Sequence, residues 1–81
     1  MTKQEIFTEL QEILSDKLNV EIKEITADKT LKDLGADSLD ATEAIMQVEE
    51  DFDLAIPDHE MEKFTDIQSI VDYIFNNTNT K

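Results

Sequence analysis

The chain has no cysteine and no tryptophan, only one glycine and one proline, and lysine but no arginine among its cations. Without cysteine, disulfides and thiolate metal sites are excluded. There is no glycine-rich phosphate loop and no His/Cys set at metal-ligand spacing. His59 is the single histidine, and the residues around it supply neither a second base nor a group to orient it. Acid–base catalysis therefore has little to work with. Glu49-Glu50-Asp51-Phe52-Asp53 is acidic, but it lacks the Asp-x-Asp-x-Asp-Gly loop of an EF-hand, and no metal site is expected. No apolar run is long enough to cross a bilayer. Met1-Thr2-Lys3-Gln4-Glu5 leads straight into an amphipathic pattern, which predicts a soluble cytoplasmic protein. A mature organellar chain would read the same way.

Cations are missing from one stretch altogether. Between Asp33 and Glu62 there is no Lys or Arg, while eleven of the twenty acids fall there. The formal net charge is −13. Nucleic acid is excluded as a partner, because its phosphates require cationic contacts. Partners with basic patches are favoured, steered from a distance by the field.

With 81 residues, one small domain covering 1–81 is expected, with a modest core. Thr2 and Glu5 have the spacing of a capping box. Ile6, Phe7, Leu10, Ile13, Leu14 and Leu18 follow at helical period, predicting a first helix over 3–18. Residues 19–36 form a long connection with apolar anchors at Val20, Ile22, Ile25, Leu31 and Leu34. A connection of that length in a small domain needs packing of its own. A turn of helix is expected near Thr30 to Leu34, ended by Gly35, whose position calls for positive φ.

A second helix is predicted over 38–52. Its apolar residues are too many for one narrow stripe, so one or two are expected to be exposed. Asp37 and Asp40 suit the positive end of its dipole. Glu49, Glu50 and Asp51 sit at the unfavourable end, which points to binding rather than to helix stability. Pro57 stops any continuation through Ile56. A short helix is expected near 58–63. Thr65 and Gln68 have capping-box spacing before a final helix ending near Asn76, with 77–81 as a frayed tail. The predicted fold is all-α: a small antiparallel bundle of three main helices plus one short helix, with a long first loop.

The segment with most chemistry is Leu34-Gly35-Ala36-Asp37-Ser38-Leu39-Asp40. Ser38 stands at a helix start, where unpaired N–H groups and the dipole favour an attached phosphate. On residue chemistry alone, the simpler reading is that Asp37 or Ser38 is only an ordinary N-cap.

The wider pattern adds Glu43, Met46, Glu49-Glu50-Asp51-Phe52, Ile56-Pro57-Asp58 and Val71-Asp72-Tyr73-Ile74. In this order and spacing the chain resembles the acyl carrier proteins of type II fatty acid synthesis, over nearly its whole length. The resemblance implies a non-catalytic carrier of acyl chains. The chains would be held as thioesters on a 4′-phosphopantetheine arm attached to Ser38, since the chain has no thiol of its own. It implies loading from coenzyme A by a phosphopantetheinyl transferase. It also implies docking of fatty acid synthesis enzymes, through basic patches, on Asp37, Leu39, Asp40, Glu43, Met46, Glu49, Glu50 and Ile56. The carrier would be a monomer without membrane insertion. Ala44 and Val48 depart from the pattern, where leucines are common, and Met61 and Phe64 are large enough to compensate. Carriers for polyketide, lipid A or D-alanyl transfer, and an unmodified acidic interaction module, are the alternatives.

Overall fold

The computed structural model describes residues 2–78. Four α-helices follow one another: α1 (Lys3–Leu18), α2 (Ser38–Phe52), α3 (Asp58–Met61) and α4 (Ile67–Thr78). A single 3₁₀ turn, Ile22–Glu24, lies in the first connection, and there is no strand among the described residues. The all-helical architecture is the one the apolar periodicity predicts.

α1 begins as its capping box dictates. The Glu5 N–H donates to Thr2 Oγ1 at 3.1 Å, and the Thr2 N–H donates to the Glu5 carboxylate at 2.8 Å. That N–H also holds the Glu5 carboxyl below its ordinary value. Ile6, Leu10, Ile13 and Leu14, recurring at helical period, are buried. α1 packs against both α2 and α4 and so forms the hub of the bundle. α2 contributes Ala44, Ile45, Val48 and Phe52 to the same core, and α4 contributes Ile67, Ile70, Val71 and Ile74. Met61 and Phe64 pack against this core, in which Ala44 and Val48 are fully buried, and the Phe64 ring meets Tyr73 edge-on at 5.5 Å. Outside the core, Lys3 joins α1 to α4. Its ammonium lies 3.0 Å from the Asp72 carboxylate and 5.2 Å from the centre of the Phe75 ring.

The first connection is fastened on both sides. Ile25 and Leu34 are buried in the core, and Val20 and Leu31 pack against it. Gln11 on α1 donates to the Ile25 carbonyl at 2.8 Å, and the Ser15 hydroxyl donates to the Val20 carbonyl at 2.6 Å. The Ile67 and Gln68 N–H groups, at the start of α4, donate to the Lys29 and Ala27 carbonyls at 2.8 and 3.0 Å. Ile22 is not an anchor. It is 46% exposed, because the 3₁₀ turn presents it outward while Ile25 takes the inward place.

The turn expected before Gly35 is present. The Gly35 N–H donates to the Lys32 carbonyl and the Ala36 N–H to the Leu31 carbonyl, the paired bonds of a Schellman ending. Gly35 adopts φ 85°, as a glycine at that position can without strain. Three expectations need correction. α4 is capped by Asp66 rather than Thr65: the Ser69 N–H donates to Asp66 Oδ1 at 2.9 Å, and Ser69 Oγ accepts from the Thr65 and Asp66 N–H groups. Gln68 instead bonds to Asp72. α3 closes at Met61, before the expected Lys63. Asn77 and Thr78 belong to α4, with side chains bonded to the Tyr73 and Ile74 carbonyls, so the expected tail does not start at 77. Its remainder, 79–81, lies outside the described residues.

Candidate functional site

The sequence left two candidates for the N-cap of α2, and the geometry chooses between them. Asp37 has extended backbone, and its Oδ1 accepts the Asp40 N–H at 2.9 Å. The Asp40 carboxylate reaches back to the Asp37 N–H at 3.5 Å. Two aspartates thus form a reciprocal box, and Ser38 becomes the first residue of the helix proper. Ser38 is exposed, and its hydroxyl takes part in none of the hydrogen bonds among the described residues. Only its carbonyl is engaged, accepting from the Thr42 hydroxyl at 2.9 Å. The capping role is filled by Asp37, which leaves the serine oxygen free at the positive end of a 15-residue helix. Gly35, three residues back, has open space beside it: a Cβ built there would meet nothing within 4 Å.

The exposed side of α2 carries the rest. Leu39 is 66% exposed and Met46 is 57% exposed. Being seven residues apart on one helix, they share a face, and Glu43 and Glu50 fall on the same stripe, both exposed. A shallow depression of about 280 Å³ at its edge is lined by Glu43, Met46, Gln47, Glu50 and Lys17 of α1. A larger one, about 390 Å³, lies over the first connection between Val20 and Leu34 and includes none of the residues expected to act.

Seven of the eight residues expected at the docking surface lie along α2 or at its cap, and two of the eight are placed differently from the expectation. Asp37, Leu39, Glu43, Met46 and Glu50 are exposed and Asp40 is half-buried. Ile56 is 3% exposed and belongs to the core rather than to an exposed face. Glu49 is half-buried, and its carboxylate accepts the Ile56 N–H at 2.8 Å. Asp51 is likewise engaged, accepting from Gln47 Nε2 at 2.8 Å. Two of the three acids at the unfavourable end of α2, Glu49 and Asp51, thus have local hydrogen-bonding roles. The bond from Glu49 spans seven residues, beyond the i+4 reach of helix neighbours, and no sequence pattern announces it.

The geometry thus presents an exposed, uncommitted serine at a helix start, on an all-helical scaffold with an acidic flank. The family model described as a phosphopantetheine attachment site matches residues 8–74. Acyl carrier proteins are similar across most of the chain. That of Exiguobacterium sp. is 44% identical over 91% of this chain and 95% of the relative. That of Cyanidioschyzon merolae is 49% identical over 91% of this chain and 82% of the relative. A solved structure of the acyl carrier protein from Enterococcus faecalis superposes with a TM-score of 0.78 at 32% identity, covering 95% of this chain and 99% of that one. The chain belongs to the acyl carrier protein family, and its role is to carry acyl chains on phosphopantetheine, as in fatty acid synthesis.

Proposed function

We propose that Ser38 is the attachment residue and that the chain is a non-catalytic carrier, a single unit of 1–81 working in the cytoplasm. The observation that carries this reading is the free Ser38 hydroxyl beside a cap already supplied by Asp37. The residues fit the group. The hydroxyl is open to solvent, the helix start favours a phosphodiester, and Gly35 leaves room beside it. When attached, 4′-phosphopantetheine supplies the thiol that holds the acyl chain. The chain's own residues do the rest. The Asp37–Asp40 box fixes the helix start, so that Ser38 is presented in one orientation. Leu39 and Met46 offer apolar contacts that alternate with Glu43 and Glu50. A phosphopantetheinyl transferase and the enzymes of fatty acid synthesis dock there through basic patches. Weak, charge-steered contacts suit a partner that must leave one enzyme for the next. No helix among the described residues is long and apolar enough to cross a membrane.

The test is intact-mass spectrometry after incubation with coenzyme A, magnesium and a broad-specificity transferase. The wild type gains one phosphopantetheinyl group and Ser38→Ala gains none. Labelling of the Ala variant would overturn the assignment.

A further inference from the structure

The connector between α2 and α3 hangs on one residue. The backbone carbonyl of Glu49 accepts the Asp53 N–H, where the chain turns through φ 53°, and also the Leu54 N–H at 3.1 Å. Its side-chain carboxylate then accepts the Ile56 N–H at 2.8 Å. Three connector amides therefore converge on Glu49 before Pro57, which has no N–H to give. The last of these bonds seats Ile56 in the core at 3% exposure, and the Pro57 carbonyl next accepts the Glu60 and Met61 amides that open α3. Leu54, between the pinned amides, packs against the same core.

We propose that Glu49 is a positioning residue whose carboxylate pins the connector, and that a partner cation drawn to this carboxylate loosens the connector and unseats Ile56. Glu50, its exposed neighbour, has no such duty. The two adjacent glutamates thus divide the labour: Glu50 only attracts, whereas Glu49 links attraction to the packing beneath it. A carboxylate satisfied by an arginine or lysine has less to offer the Ile56 amide. Docking at the end of α2 and freedom of the connector are therefore linked in both directions. The linkage rests on the docking surface proposed above, and the pin itself does not.

Amide hydrogen exchange followed by NMR tests both parts. In Glu49→Ala the Ile56 amide is expected to exchange at least tenfold faster than in the wild type, with core amides such as Val48 unchanged. Glu49→Gln keeps an acceptor oxygen and is expected to stay within about threefold, by the weaker bond to a neutral acceptor. Glu50→Ala is expected to change nothing at Ile56. Unaltered exchange in Glu49→Ala, or equal acceleration in Glu50→Ala, would overturn the pin. The linkage is read with a saturating phosphopantetheinyl transferase on a Ser38→Ala background. Exchange at Ile56 should rise, and should not rise further when Glu49→Ala is added. Unchanged or slower exchange overturns the linkage. Mass gain at Ser38 in the Glu49 and Glu50 variants separately reports whether the carrier reading holds.

Discussion

Two helices of this protein begin with the same local device and use it for different ends. α4 starts with the Asp66–Ser69 pair, and its next two amides are plugged by the Lys29 and Ala27 carbonyls of the first connection. α2 starts with the Asp37–Asp40 pair, and among the described residues no distant segment bonds to it. Both satisfy the requirement that a helix start find partners for its free N–H groups. At α4 the rest of the fold supplies them, and the helix end becomes a structural joint. At α2 they stay open to solvent, next to a hydroxyl that no internal bond employs. Identical capping chemistry thus makes either a joint or a site, and the deciding factor is whether a neighbouring segment is fastened over it.

The sharpest way to break this comparison is to exchange the consequences of mutating the two starts. Ser38→Ala is expected to abolish loading while changing the unfolding free energy by no more than about 0.5 kcal/mol, because Ser38 is not a cap. Intact mass and circular dichroism melts read the two effects. A Ser38→Ala protein that melts as early as a cap deletion would erase the distinction drawn here.

The open start also predicts a charge-dependent approach that the plugged one should not show. Reversing Glu43 and Glu50 together to lysine is expected to slow loading about tenfold at low salt, within the range of electrostatic steering. The loss should shrink as salt screens exposed charges over about 8 Å at physiological strength. Reversal of Glu9 and Glu12 on α1 is the control. Initial rates across salt concentrations decide it, and equal rates for wild type and reversed protein at low salt would remove the docking face from the account.

The joint, in turn, should show itself in stability. Asp66→Ala is expected to cost about 2 kcal/mol and Asp37→Ala about 1 kcal/mol, the upper and middle of the range for lost caps. The first also loosens the region where loop carbonyls meet α4. Urea denaturation of both variants, with loading unaffected in Asp66→Ala, would sharpen the contrast. Equal costs would mean that the plug adds nothing.

The smallest effect concerns acid. The Lys3 ammonium, then the Gln68 amide, hold the Asp72 carboxyl below its ordinary 3.8. A folded-state value depressed in this way contributes stability above the unfolded value, and that stability is lost as pH falls through the folded one. The contribution is present at neutral pH and disappears below about 4. Both side chains are about half exposed, so it should not exceed about 1 kcal/mol. Asp72→Asn should lower the melting temperature slightly at pH 7 and by less at pH 2.5. An equal drop at both values would exclude the ion pair as the cause.

The parts of this fold that could be read in advance are those set by neighbours along the chain. The bounds of α1 and α2 follow from their capping pairs and apolar period, and the turn at Gly35 from the chain's lone glycine. What could not be read depends on segments meeting in space. Thr65 and Asp66 offer overlapping cap patterns, and the register is settled by carbonyls from residues 27 and 29, far away in sequence. Ile22 and Ile25 look alike as anchors until the 3₁₀ turn orients one inward. Ile56 reads as a docking residue, yet it is buried in the core, with its amide donating to the Glu49 carboxylate. The Ser38 motif marks a candidate in the sequence, but the serine's freedom from capping is seen only in the geometry, where Asp37 takes that role.

One consequence follows from how tightly the approach to Ser38 is spelled. Ala36 completes the hydrogen bonds that end the turn at Gly35, and Asp37 opens those that begin α2, with no residue between them. Punctuation without slack behaves like a reading frame. An α-helix advances by about 100° per residue, from 3.6 residues per turn. One residue inserted or removed here would leave both motifs wanting or swing the serine about a quarter-turn away from its acidic flank. A change of length here alters both motifs at once. The reach of the carrier is therefore set by counting residues as much as by choosing them.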